Sequence, residues 1–146
     1  PITSFRLYPD NPHGLFVRVS IYHTKQQMYH AAKHVKRPYG AVFVLADTPS
    51  MLLGCVFFHL GRFDIGTVAH ELLHATLAWA DRKKIEVKSD GRGYRTLGLC
   101  LSSEERICAA HERMLDQLSN KMHGSIISPQ VREKLLSFAT ASTPQK

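Results

Sequence analysis

The chain has 146 residues, of which 44% are hydrophobic and 21% are charged, with 19 Lys and Arg against 12 Asp and Glu. This size and composition are typical of one globular domain, and they exclude a disordered chain, a collagen-like repeat and a coiled coil. No apolar run approaches the ~20 residues that span a bilayer. No basic segment leads into an apolar one, so we expect neither a membrane span nor a signal peptide.

The cysteines and the net charge limit the cellular setting and the partners. Cys55, Cys100 and Cys108 form neither a paired disulfide framework nor a CxxC metal motif, so we expect a reducing, cytoplasmic setting. The net charge of +7 favours contact with an acidic partner, such as nucleic acid or an anionic protein. A solvated basic surface is the alternative. Because no base-reading motif is present, we expect any nucleic-acid contact to be non-specific.

The first part of the chain predicts four strands and one helix. The first two strands are separated by a segment rich in turn formers and could pair as a hairpin. Thr24 is expected to cap a helix that runs to about Val35 and is ended by Pro38. The third strand is a continuous apolar run and is expected to be buried on both faces. The predicted strands cover residues 4–8, 15–22, 39–46 and 54–60.

The second part of the chain predicts helices. Asp64 is expected to cap the first of them, where its charge suits the positive end of the helix dipole. Ser102 is expected to begin the next one, in a capping box with Glu105. Between these helices, a glycine-rich segment could hold a hairpin whose arms are residues 85–87 and 97–101. The predicted helices cover residues 65–80, 102–123 and 129–138. The predicted fold class is α+β.

The strongest chemical signal is the sequence His70-Glu71-Leu72-Leu73-His74, which matches HExxH inside a predicted helix. Residues four apart lie one turn apart on the same face, so both imidazoles can bind one metal ion. Glu71 lies about 100° round the helix, where it can contact a metal-bound water. The alternative is a pair of structural histidines on a buried helix, which is costly unless these groups find partners.

A catalytic zinc site usually needs a third protein ligand from another part of the chain. The elongated motif HExxHxxGxxH would have glycine and histidine where this chain has Leu77 and Ala80, so that class is excluded. The helix that follows Ser102 supplies the remaining candidates. They are Glu104, Glu105, His111 and Glu112.

Helix geometry separates these candidates. The apolar stripe of this helix has nearly the direction of Glu104 and His111. Glu105 lies about 100° away and is already expected to serve the capping box, and Glu112 points away from the stripe. We therefore predict Glu104 as the third ligand, with Glu105 or His111 as the alternative ligand. If His111 is the ligand, Glu104 could support it; otherwise His111 could support the ligands or be a core histidine whose polar atoms are paired. The stripe consists of Ile107, Cys108, Met114, Leu115, Leu118 and Met122.

A family resemblance extends over residues 54–118. Val-Ala-His-Glu-Leu-Leu-His-Ala at 68–75, followed by Ser-Ser-Glu-Glu-Arg-Ile-Cys at 102–108, resembles the small gluzincin-type zinc metallopeptidases. The compact members carried by phages and mobile elements are the most similar. The resemblance implies a zincin-like core, in which a small mixed sheet has its edge strand beside the HExxH helix and C-terminal helices follow. It also implies that a glutamate early in the next helix binds Zn²⁺.

The function implied is hydrolysis of a peptide bond by a zinc-bound water that Glu71 activates, on a narrow range of protein substrates. The substrate is expected to lie extended along Gly54–Leu60, paired with the edge of that strand. Such enzymes often add a donor for the oxyanion, and Tyr94 and Arg95 are the candidates, although a solvated loop is the favoured interpretation of both. His59 could line the cleft but is expected to be an exposed strand-end residue.

The alternative function is a non-catalytic, zinc-stabilised module that binds nucleic acid or a partner protein through its basic surface. Glu71 argues against this alternative, because a structural zinc site needs no base and usually has four protein ligands. Under either function we predict a single domain over residues 1–138 and a flexible tail over 139–146.

Overall fold

The computed structural model describes residues 1–33, 40–47, 50–85 and 99–123, apart from the side chains of 99–102, 104 and 123. Within these ranges the chain forms a mixed α+β structure, and the predicted order of elements is confirmed. The predicted helix over 129–138 and the tail lie outside the described residues. The elements are β1 (Thr3–Leu7), β2 (Phe16–Tyr22), α1 (Lys25–Ala31), β3 (Ala41–Leu45), β4 (Leu52–His59), a single 3-10 turn (Leu60–Arg62), α2 (Ile65–Arg82) and α3 (Leu99–His123).

The four strands form one sheet in the order β1-β2-β4-β3. The β1–β2 pair is antiparallel, as the predicted hairpin requires, while β2 pairs with β4 in parallel and β3 pairs with β4 antiparallel. The register aligns Phe5 with Val19, Val19 with Val56, and Val56 with Phe43, so these apolar side chains share one face. Helix α2 packs against β3 and β4, and α1 packs against β2 and β4.

Two expectations about the sheet are wrong. Strand β4 is flanked by β2 and β3, so it has no edge with which a substrate could pair. The strand predicted over residues 39–46, which was expected to be buried on both faces, is β3. It is an edge strand among the four described strands, and its last residue, Leu45, is 59% exposed. A short continuous apolar run does not specify where a strand lies in the sheet, because strand order depends on long-range pairing.

Gly54 lets β3 lie close to β4. A Cβ atom at this position would lie 2.5 Å from the carbonyl oxygen of Val44 and 2.6 Å from the ring of Phe43. No side chain fits between these groups. Glycine at position 54 therefore permits the close approach of β3 to β4.

Helix α2 begins where the sequence predicts, at the Asp64 cap. The Asp64 carboxylate accepts hydrogen bonds from the Thr67 backbone N–H at 2.9 Å and from the Thr67 hydroxyl at 2.8 Å. These two bonds, with a smaller contribution from Arg62, hold the pKa of Asp64 below its ordinary value. The apolar face of the helix packs into the core, which leaves the remaining faces for the site. That buried face consists of Val68, Leu72, Ala75 and Trp79.

Helix α3 begins earlier than expected. Leu99–Leu101 are helical, so the hairpin arm predicted over 97–101 is wrong at these residues, and Ser102 is not the N-cap. The capping box of Ser102 with Glu105 is therefore also wrong. Cys108, predicted to be in the apolar stripe, is exposed. The buried stripe of α3 instead has a strict four-residue spacing. It consists of Ala110, Met114, Leu118 and Met122.

Polar contacts with the end of β1 hold α3 in place. The Tyr8 N–H donates to Gln117 Oε1 at 2.8 Å, and Gln117 Nε2 donates to the Tyr8 carbonyl at 2.9 Å. Arg113 donates to the backbone carbonyls of Pro9 and Asp10. In the described part of the chain, no helix is both long enough and apolar enough to cross a lipid bilayer.

Candidate active site

His70 and His74 lie one turn apart on an exposed face of α2, and their Nε2 atoms are 3.1 Å apart. Their ring centroids are 4.7 Å apart, with the ring planes nearly perpendicular. Two nitrogen ligands that are each ~2.0–2.1 Å from a tetrahedral zinc ion lie about 3.3 Å from each other. The 3.1 Å separation is that of a hydrogen bond between the two rings, and it is also close to the spacing of two nitrogen ligands on one zinc ion.

Glu71 follows His70 and turns inward. Its side chain is only 8% exposed, although it carries a carboxylate. Among the residues that the structure describes, none donates a hydrogen bond to this carboxylate or forms an ion pair with it. Because Glu71 also lines a cleft, its carboxylate is available to a ligand or a water in that cleft.

His70 and Glu71 line a cleft of about 650 Å³ that opens beside the first turns of α2. One wall comes from the start of β3, another from the end of β4 and the 3-10 turn, and the start of α1 closes a third side. Among the described lining residues, Glu71 supplies the only carboxylate, whereas Lys25 and Arg62 supply two cations. The other lining residues are Gly40, Ala41, His59, Gly61, Gly66 and Thr67.

His59 is a buried residue of the cleft wall, so its expected exposure at the strand end is wrong. It is 8% exposed, because it lies at the end of an inner strand against which α1 packs. Its Nδ1 accepts a hydrogen bond from the Gly61 N–H at 3.1 Å, which leaves the proton of the neutral ring on Nε2. Burial, reinforced by Lys25 and Arg62, lowers the pKa of His59. Its Nε2 has no hydrogen-bond partner in the described structure.

His111, an alternative ligand on sequence grounds, lies at a different face of α2. Its Nδ1 is 3.3 Å from Oγ1 of Thr76. At 100° per residue, Thr76 points about 200° away from His74 round the helix. The structure therefore does not bring His111 together with His70 and His74.

The other predicted site residues lie mostly beyond what the structure describes. The backbone of Glu104 lies in the first turns of α3, but its side chain is outside the described set, as are Tyr94 and Arg95. Glu105 and Glu112 are exposed on α3. Among the described side chains, no three His, Cys, Asp or Glu residues converge to hold a metal ion. The identity of the third ligand stays a prediction.

Sequence reasoning missed Lys25 and Arg62 as site residues. Lys25 lies one residue after a helix cap, and Arg62 lies in a glycine-flanked turn, where charged residues are ordinary. The one sequence feature that could have indicated Arg62 is its position, because Gly61-Arg62 directly follows a strand and precedes the HExxH helix. Leu73 and Leu77, which are 44% and 49% exposed, add an apolar flank beside His70 and His74.

Comparisons with family models, curated proteins and solved structures find no match to this chain. A mixed sheet with helices hosts many different chemistries, so the residues of the site must indicate the function.

Proposed function

We propose that this protein is a zinc-dependent metallopeptidase that hydrolyses a peptide bond of a protein substrate. The observation that supports this proposal best is the 3.1 Å spacing of the His70 and His74 Nε2 atoms, combined with a buried Glu71 in the adjoining cleft. Two imidazoles that can share a metal and one unpaired carboxylate are the groups that metal-assisted hydrolysis requires. A purely structural site would not need the carboxylate.

His70, His74 and Glu104 are the residues proposed to hold the metal. Zinc, when bound there, supplies a Lewis acid that polarises a carbonyl and acidifies water. The two histidines supply neutral nitrogen donors, and Glu104 would add a negative charge to the ligand set. Its position on α3 makes the packing of α3 against α2 part of the site.

Glu71 is the proposed general base and general acid. Its carboxylate accepts a proton from the water that attacks the scissile carbonyl, as the new C–O bond forms. The same carboxyl then donates that proton to the leaving amine, as the C–N bond breaks. Glu71 lines the cleft and accepts no hydrogen bond from a described residue, which leaves its carboxylate available for this proton transfer.

The proposed path of the substrate is along β3 rather than along β4. Strand β3 is the edge strand nearest the site, and Ala41 at its start lines the cleft together with Gly40. An extended peptide can add to such an edge by main-chain hydrogen bonds, which is a common mode of peptide recognition. This path would bring the scissile bond past Glu71.

The proposal is tested by metal content and proteolysis together. The purified protein should contain one zinc ion per chain by elemental analysis, and it should cleave at least one member of a peptide library. Removal of the metal by a chelator should abolish cleavage, and added zinc should restore it. A protein that binds no zinc, or a zinc-loaded protein that cleaves no peptide across a broad library, would contradict the proposal.

A second candidate function, binding of nucleic acid, is favoured by one observation on the sheet. Arg6 and Arg18 are exposed and stand directly opposite each other on β1 and β2, and the Arg6 guanidinium lies 4.5 Å from the ring centroid of Phe16. Like charges in this register are unfavourable unless an anion neutralises them. Retention of DNA at low salt that falls steeply with salt would support this function, and no retention would exclude it.

A further inference from the structure

We propose that the cleft beside Glu71 is a substrate subsite that binds a carboxylate of the peptide, held by Arg62, Lys25 and the Nε2–H of His59. The inference rests on the proposed peptidase function and adds a substrate class to it, namely peptides with an acidic group near the scissile bond.

The first argument is the charge of the cleft. Arg62 and Lys25 line it, and neither forms an ion pair with a described residue. Arg62 helps to lower the pKa of Asp64, but the two residues form no ion pair, and both carboxylate oxygens of Asp64 accept hydrogen bonds from Thr67. Among the described lining residues, two cations stand against the single carboxylate of Glu71, and Lys25 Nζ also lies 5.6 Å from the ring centroid of Tyr29. The excess of positive charge favours an anionic ligand, and a guanidinium suits a carboxylate best.

The second argument is the unpaired donor in the wall. His59 is more than nine-tenths buried and lines the cleft, and Nε2 must carry the proton because Nδ1 accepts from Gly61. This N–H has no partner in the described structure. Buried donors are normally paired, so a donor left without a partner in a cleft wall indicates a ligand that accepts. A carboxylate is the acceptor that would also satisfy the two cations.

The third argument is that the backbone around the cleft is built to position these groups. A Cβ atom at Gly40 would lie 2.8 Å from Cγ of Arg62, and one at Gly61 would lie 3.1 Å from Cε1 of His59. Each glycine therefore allows one of the proposed binding side chains to pack against the main chain. Gly66, in the first turn of the 18-residue helix α2, also lines the cleft, where the helix dipole favours a negative charge.

The test measures binding rather than cleavage. The zinc-loaded Glu71→Gln protein, which should not turn the peptide over, is titrated with acetyl-Ala-Ala-Glu-Ala-Ala-amide and with its Gln analogue. We expect the Glu peptide to bind about tenfold more tightly, since charge-assisted hydrogen bonds are roughly twice as strong as neutral ones. The ¹⁵N-histidine signal of His59 Nε2–H should shift with the Glu peptide only.

Cleft variants and matched surface variants in the same background decide the assignment. Arg62→Gln and Lys25→Gln should remove the preference for Glu, whereas Arg106→Gln and Lys121→Gln, on α3, should keep it. An acetylated penta-alanine with a free C-terminal carboxylate, compared with its amide, distinguishes a terminal carboxylate from an acidic side chain as the group bound.

Two outcomes would overturn the inference: no preference for the carboxylate in either peptide pair, or a preference that Arg62→Gln and Lys25→Gln leave intact. Failure of the peptidase function is a separate result. It would appear as absent zinc or absent cleavage, while a preference that depends on Arg62 would still establish the carboxylate subsite.

Discussion

Thr76 and His111 join the two long helices through a hydrogen bond of 3.3 Å between Oγ1 and Nδ1. The Thr76 hydroxyl already donates to the carbonyl of Leu72 at 2.8 Å, so it accepts from His111. The pair lies on the side of α2 away from His74, where Thr76 is fully buried. His111 therefore ties α3 to α2 from outside the candidate metal site.

Replacement of Thr76 by valine should lower stability without affecting zinc. Thr76→Val keeps the shape of the side chain but leaves the His111 N–H without its partner, which should cost about 1 kcal/mol. Denaturant unfolding measures the loss, and elemental analysis should still find one zinc per chain. Loss of zinc at unchanged stability would instead place His111 among the groups that support the metal.

The third zinc ligand can be identified by comparing two neighbouring glutamates. Glu104→Ala should lose zinc, because the sequence pattern predicts that Glu104 lies on the apolar side of this helix. Glu105→Ala should retain it, because the Glu105 side chain is exposed. Elemental analysis of both purified variants gives the answer.

The opposite pattern, in which Glu105→Ala alone loses zinc, would show that the helix-wheel argument is wrong. Because α3 begins before Ser102, the predicted capping box no longer argues against Glu105 as a ligand. His70→Ala serves as the positive control for zinc loss.

Gly54 should tolerate no side chain. In Gly54→Ala the new Cβ would meet the Val44 carbonyl and the Phe43 ring, and such overpacking typically costs about 1–3 kcal/mol. Gly66→Ala is the comparison, since its Cβ would make a tight contact of 3.3 Å with Asp64 Oδ1, much less severe than that at Gly54, and alanine is the better helix former. Thermal unfolding of both variants checks this expectation. Equal melting temperatures would mean that β3 does not need the close approach.

Asp64 should contribute stability that depends on pH. Because its folded pKa is lowered, the contribution is present above the ordinary value of 3.8 and is lost as the pH falls through the folded pKa. Asp64→Ala should therefore cost about 1 kcal/mol at neutral pH, as for other N-caps, and little below the folded pKa. Asp81→Ala, at the other end of α2, should show no such loss. A pH-independent effect of Asp64→Ala would contradict the cap assignment.

Local sequence signals predicted helix α2 and its Asp64 cap well. The Asp64 cap, the spacing of the buried face and the HExxH motif all depend on residues within a few turns of one another, and they specify where His70, Glu71 and His74 lie. The strands were likewise located to within about two residues of their observed ends.

The strand order and the composition of the cleft could not be predicted from the sequence, because they depend on long-range packing. Strand order decided that β3 rather than β4 is the edge, and no local pattern encodes that order. The burial of His59 and the charges of Lys25 and Arg62 in one cleft depend on three separate elements meeting. The early start of α3 arose because an apolar run such as Leu99–Leu101 suits a helix as well as a strand.

The most direct test of the peptidase function is the Glu71→Gln variant, assayed for fold, zinc and cleavage in one preparation. Glutamine has almost the shape of glutamate but cannot accept a proton at neutral pH, so the variant should fold, retain one zinc per chain and lose ~10²–10⁴-fold in cleavage rate. A Glu71→Gln protein that is folded and zinc-loaded and cleaves peptide as fast as the parent would contradict the proposed role of Glu71.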